Sequence, residues 1–142
     1  MPASTRFAVS VHTLVALAEA RPAPLTSERL AASVNTNPAV VRRLLTALSA
    51  AGLTKTRLGK GGGATLARGP RKITLLDVYR AVETPGLVAL HRTPPDPDCP
   101  VGRNIQTALL QSTARAEEAF LSSLGETTLK QVVKAVRARE AA

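Results

Sequence analysis

The feature that most constrains this chain is a pair of short amphipathic helix patterns three residues apart, with a glycine-rich hairpin pattern directly behind them. The first of the pair starts at Thr26, where Leu25 and Leu30 occupy the two positions of a hydrophobic staple around the cap, and runs only to about Ser33. Val34-Asn35-Thr36 makes the connection. The next helix opens with Asn37 as N-cap and Pro38 at the first helical position, where the missing N–H would be unpaired anyway. Val41, Leu44, Leu45 and Leu48 form its apolar stripe, and Gly52 stands where a left-handed C-terminal cap belongs. Leu53–Leu58 reads as a strand, Gly59 to Gly63 as a turn and Ala64–Ala67 as a returning strand. This order predicts a helix-turn-helix followed by a wing.

The flanking segments are helical by the same criteria. Phe7, Val11, Leu14, Val15 and Ala18 recur on one face of a first helix, capped by Ser4 or Thr5 and stopped before Pro22. Thr74 caps a fourth helix, with Asp77 completing a capping box and Leu75, Val78, Tyr79 and Val82 as its buried stripe. Residues 84–100 hold five of the ten prolines and read as an irregular loop. A long helix follows from about Val101 to Leu124, with Gly125 after it. It is apolar on two sides: Ile105, Leu109, Ala116, Phe120 and Leu124 on one, Leu110, Ala114 and Leu121 on the other. Such a helix needs two partners. Its own domain covers one side, and either a second chain or the same subunit covers the other. Thr127 or Thr128 caps a last helix carrying Leu129, Val132, Val133 and Val136. The chain thus divides into a winged helix-turn-helix at 1–83, a Pro-rich linker or effector loop at 84–100 and dimerisation helices at 101–142. The expected fold class is mostly α with a small β-wing, a winged helix-turn-helix plus a long C-terminal dimerisation helix.

Charge narrows the choice of partner. The 142 residues carry 19 Lys and Arg against 10 Asp and Glu, a formal charge of +9. Residues 1–71 account for +8 of it, so a polyanion is the natural partner of the N-terminal half. Phe7, Tyr79 and Phe120 are the only aromatics, which disfavours a platform that stacks single-stranded bases. Phe7–Ala18 behind Arg6 imitates a secretory signal, but Ser10, His12 and Thr13 interrupt it. No stretch approaches the roughly 20 apolar residues of a membrane span, so a cytoplasmic location with no membrane partner is expected.

The chemistry-bearing residues fall in two groups. Opposite the Val41 stripe lie Asn35, Thr36, Asn37, Arg42 and Arg43, types that pair with base edges or phosphates when a helix enters the major groove. Asn37 is also a cap and Asn35 also a turn residue; of the two arginines, one is expected on a base and one on phosphate. In the wing, Lys55, Arg57 and Lys60 bracket Gly61, Gly62 and Gly63, where a backbone without side chains approaches phosphate closely. An ordinary hairpin that needs glycine for its turn is the competing reading. A phosphate-binding P-loop is disfavoured, because Lys60 precedes Gly61 and a strand follows.

Cys99, the single cysteine, stands at the start of the long helix as a packed residue, a thiol redox sensor or a metal ligand. With His91 it offers two soft ligands per chain, too few for a closed zinc site. A thiol enzyme built on Cys99 lacks an evident His–Asp partner, so no enzymatic activity is expected. His12 reads as a packing histidine.

The segments Ser4-Thr5-Arg6-Phe7-Ala8, Leu25-Thr26-Ser27-Glu28, Val34-Asn35-Thr36-Asn37-Pro38, Gly52-Leu53, Gly61-Gly62-Gly63 and Ile73-Thr74-Leu75-Leu76-Asp77-Val78 resemble the Rrf-two family of bacterial winged-helix transcriptional regulators. Cys99-Pro100-Val101-Gly102 is similar to the start of that family's long helix. The resemblance covers nearly the whole chain. It implies a homodimer crossed through the long helix, reading a near-palindromic operator. Ile105, Leu109, Ala116 and Phe120, from the apolar stripe, are the expected interface, and a repressor is the expected role. It places Thr36, Asn37, Arg42, Arg43 and Lys60 on double-stranded DNA and adds Arg6 as a phosphate contact. Many members hold an iron–sulfur cluster on three loop cysteines; here only Cys99 is present, so no cofactor is expected. The effector, whether small molecule or oxidant, is not named by the sequence. The rival from another class is a winged-helix assembly module whose basic face meets an acidic protein.

Overall fold

Caps set the element boundaries of the computed structural model, which describes residues 4–142. In order these are α1 (Arg6–Ala20), α2 (Ser27–Val34), α3 (Pro38–Ala50), β1 (Thr54–Arg57), β2 (Gly63–Leu66), a 3-10 turn (Pro70–Lys72), α4 (Leu75–Val82), α5 (Pro100–Gly125) and α6 (Leu129–Glu140). The Thr26 hydroxyl accepts from Arg29 N at 3.2 Å and Asn37 Oδ1 from Ala39 N at 2.8 Å. Thr74 and Asp77 form the reciprocal capping box expected from sequence. Thr128 forms a second one with Gln131.

The core is built by α1, α3, β2, α4 and α6, with α2 staple residue Leu30 inside it. Leu14, Leu17, Val41, Leu48, Leu53, Ile73, Val78 and Leu129 are fully buried. β1 and β2 pair antiparallel with Thr54 opposite Leu66 and Arg57 opposite Gly63. The wing is anchored at its base, where Leu25 and Ala64 exchange backbone hydrogen bonds of 3.0 and 2.8 Å. The architecture is therefore a mostly helical winged helix with one small sheet.

Four details differ from the sequence reading. α1 buries Ser10, Thr13, Leu14, Val15 and Leu17, whereas Phe7, Val11 and Ala18 are only partly covered. The reason is position: α1 packs against α3, α4, α6 and β2, so small polar residues sit inside where elements approach closely. β1 is shorter than Leu53–Leu58, because Leu53 closes the end of α3 and Leu58 is solvent-exposed. Gly125 ends α5 from within rather than following it.

The largest difference concerns the C-terminal unit drawn at 101–142. α6 packs in the N-terminal core, through Leu129 and Val133. Leu75 N donates to Thr127 O at 2.9 Å and Leu129 N to Ile73 O at 2.7 Å, so the chain returns to the point it left. α5 alone projects: no residue of it is buried in the subunit. Its C-terminal part is seated on α4, with Leu121 and Leu124 half-buried, Phe120 against Tyr79 and Gly125 against Leu76.

Leu129→Ala is expected to cost about 2–5 kcal/mol by leaving a cavity in the core. Val136→Ala, on the exposed side of α6, should stay within about 0.5 kcal/mol. Chemical denaturation of both variants checks this; equal midpoints would detach α6 from the core.

Candidate nucleic-acid interface

The face of α3 opposite its buried stripe exposes Ala39, Arg42, Arg43 and Thr46. The turn that presents it is fixed by backbone demands. Asn35 adopts φ 65°, the left-handed region, and donates its N–H to Ala31 O as the C-cap of α2. Thr36 is half-buried and its N–H reaches the same carbonyl at 2.9 Å. Asn37 is occupied as the cap of α3. These three residues thus shape the entry of α3, with Asn35 and Asn37 still exposed to solvent.

The two arginines differ in their surroundings. Arg42 Nη2 lies 3.0 Å from Glu28 Oε1, an exposed ion pair from α3 to α2. Arg42 also lines a shallow groove with Ser27, Thr46 and Thr56, between α3 and the base of the wing. The Thr46 hydroxyl is turned back onto Arg42 O at 3.0 Å. Arg43 faces the other flank, where it shares a groove with Arg6, Val40 and Val82. It makes no ion pair among the described residues.

Arg6 is more constrained than its sequence position indicates. Its Nε donates to Val82 O at 3.0 Å and its Nη2 lies 3.5 Å from Glu83 Oε2. Glu83 Oε1 also accepts from Phe7 N at 3.2 Å. A carboxylate from the end of α4 therefore caps α1, where the helix dipole favours negative charge. Glu28 and Glu83 are the site residues that sequence reasoning missed. Both act across long stretches of chain, 14 and 77 residues from the arginines they hold, and no local pattern signals such pairs.

In the wing, Lys55, Arg57 and Lys60 are all exposed. Strand alternation puts Lys55 and Arg57 on the face opposite Thr54 and Thr56, with Lys60 at the turn. Gly62 has a structural cause: a Cβ there would collide with the Arg57 carbonyl. Gly61 has φ 76°, which also favours glycine. Hairpin geometry thus accounts for both glycines.

His12 is paired, its Nε2 lying 2.8 Å from Ser33 Oγ across α1 and α2. Cys99 is half-buried at the N-cap of α5, its N–H directed at Asp96 O at 3.3 Å. Among the described residues no helix is long and apolar enough to cross a membrane.

The profile of the Rrf2 family, described as iron-dependent transcriptional regulators, matches residues 3–135. The chain belongs to the Rrf2 family. It is 40% identical over 133 residues to the candidate HTH-type transcriptional regulator YwnA of Bacillus subtilis (strain 168), covering 92% of this chain and 96% of that one. A crystal structure of a candidate DNA-binding protein superposes with a TM-score of 0.73 at 38% identity, over 89% of this chain and 97% of that one. CymR, the global cysteine regulator of B. subtilis, shares the fold at 24% identity, with a TM-score of 0.71 over 95% and 98% of the two chains. The donors of this Rrf2 chain do not fit an iron–sulfur cluster. Such clusters are held by four ligands, mostly thiolates, and Cys99 is the one thiol. No three His, Cys, Asp or Glu residues gather as a metal site among the described residues.

Glu28 titrates below its ordinary 4.5, first because its own backbone N–H at the start of α2 holds the carboxylate, then because Arg42 does. Its contribution to stability is present above pH 4.5 and fades as pH falls through the lowered value. In Arg42→Ala the Glu28 midpoint, followed by carbon NMR, should move up towards 4.5 without reaching it. An unchanged midpoint would mean that the pair does not persist in solution.

Proposed function

We propose that this chain is a homodimeric, sequence-specific double-stranded DNA-binding regulator of transcription, acting as a repressor on a near-palindromic operator. The observation that carries the reading is the exposed cationic face of α3 beside the wing, with Arg43 left without a carboxylate partner among the described residues. The names of the relatives, an HTH-type transcriptional regulator and a DNA-binding protein, point the same way. The setting is the cytoplasm, where such DNA lies.

On this reading the residues divide the work as follows. Arg43 reaches a base edge, and Arg42, already shared with Glu28, takes a phosphate. Asn35, Thr36 and Asn37 present backbone and amide groups at the start of α3. Lys55, Arg57 and Lys60 hold phosphates from the wing, with Gly61 and Gly62 giving the turn its shape. Arg6 meets a phosphate at the flank it shares with Arg43. α5 supplies the second-copy interface through Ile105, Leu109, Ala116 and Phe120; Leu109 and Phe120 are each 37% exposed and Leu110 53%. Phe120 also packs edge-on against Tyr79 at 5.3 Å, so it serves its own subunit as well. The reading needs no cofactor. Cys99, half-buried at the start of α5, is the thiol an oxidant would address.

Selection of bound duplexes from a random pool tests the reading. A two-fold motif is expected, and its loss under oxidant, unless Cys99 is replaced by Ser, would assign Cys99 as the sensor. A pool returning no motif at low salt would favour the assembly-module rival. Arg43→Ala should cost about 1–3 kcal/mol and relax preference at one position per half-site. A dimer neutralising about eight phosphates gives a slope of log K on log salt near about −7. A uniform loss on all sequences would move Arg43 to phosphate.

Leu109→Asp should dissociate the dimer while leaving the fold intact, because it buries an unpaired carboxylate only at the interface. Sedimentation velocity with circular dichroism checks both halves of that statement; an unchanged dimer removes Leu109 from the interface.

A further inference from the structure

A second concentration of positive charge lies away from α3. The segment leaving β2, Ala67 to Lys72, wraps between the end of α1 and the first turns of α6 and encloses an open cleft of about 830 Å³. Its floor is apolar, formed by Ala18, Ala67 and Val133. Its rim carries Arg21, Arg71, Lys72, Lys130 and Lys134, none with a carboxylate partner among the described residues. The two carboxylates nearby are already engaged, Glu19 with Arg137 at 2.6 Å and Asp77 with Arg68 at 3.8 Å.

Five cations without a carboxylate partner among the described residues, beside the paired Arg68 and Arg137, line one concavity and repel each other. An anion of two or more charges removes that repulsion. Guanidinium groups on the rim match phosphate oxygens in pairs, and the ammonium groups add point charge. The apolar floor accepts a flat or aliphatic body, and the volume falls within the range of about 300–1,000 Å³ typical of small-molecule sites. The cleft is also separate from the groove shared by Arg6 and Arg43. Ala18 lies about 18 Å along α1 from Arg6 at 1.5 Å rise per residue.

We infer that this cleft binds a small organic phosphate of at least two negative charges, of the size of a nucleoside diphosphate, bridging α1 to α6. Because α6 continues from α5, an occupant ties the C-terminal end of the projecting helix to the winged unit.

Titration calorimetry on the full chain at fixed ionic strength tests this with ADP, inorganic pyrophosphate and adenosine as probes. ADP should bind saturably, several-fold tighter than pyrophosphate, and adenosine should not bind. Arg71→Ala and Lys134→Ala should each weaken ADP at least fivefold with unchanged circular dichroism, and Arg43→Ala should leave it unaltered. The inference is overturned if ADP does not saturate, if both cleft variants bind it as the parent does, or if pyrophosphate binds equally well. It is also overturned if the two variants lose affinity for duplex DNA in step with ADP, which would make the cleft a surface for backbone phosphate. Since Arg43 is read separately, failure here leaves the reading of α3 standing.

Discussion

The two hydrogen bonds that clasp Ile73 to Leu75 against Thr127 to Leu129 govern the rest of the architecture. Two helices start from this one point, α4 with the Thr74–Asp77 box and α6 with the Thr128–Gln131 box. Each box satisfies N–H groups that a helix start leaves unpaired. Everything between Glu83 and Glu126 is therefore an excursion from a closed unit. The Pro-rich loop and α5 meet the core chiefly where Phe120, Leu121 and Gly125 lie against α4. This is why a 26-residue helix can carry Leu109 and Leu110 in solvent while the winged unit remains closed without it.

The same closure distributes the charge. Glu28 and Glu83 each hold an arginine at the edge of the α3 face, and exposed pairs of this kind orient side chains more than they stabilise the fold. Arg42 and Arg6 are thus held in place on opposite flanks, while Arg43, on the flank of Arg6, makes no ion pair among the described residues. Acidic residues are otherwise sparse in the N-terminal half, so the field around α3 stays positive. An arginine already oriented by a carboxylate loses less freedom on meeting a phosphate, whereas a base contact needs a side chain not already committed.

How much of this was legible in sequence depends on the range of the interactions. Caps and turns act within four residues, so Thr26, Asn37, Thr74 and the left-handed Asn35 declared themselves, and with them the helix-turn-helix and the wing. Burial around α1 did not. Ser10 and Thr13 look like the exposed side of an amphipathic helix, yet they lie inside because five elements surround α1. The placement of α6 was also hidden, since its stripe of Leu129 and Val133 fits any apolar partner. At the candidate site, the cationic residues were readable from type and spacing, but the carboxylates that hold two of them were not. Nor were the cleft cations, which come from three separate parts of the chain.

The three aromatics complete the mechanical picture. Phe7 meets Tyr79 edge-on at 5.9 Å, and Tyr79 meets Phe120 at 5.3 Å, so α1, α4 and α5 are joined by one chain of rings. Edge-to-face pairs have a preferred geometry, which makes them better at fixing an angle than aliphatic contacts of similar area. Phe7 follows Arg6 directly, and both are gripped by Glu83. The direction in which α5 leaves the unit is thereby tied to the end of α1 that borders the Arg43 groove. In a dimer joined through α5, the separation and tilt of the two α3 helices would be set by this short stack of rings rather than by the long loop that precedes α5.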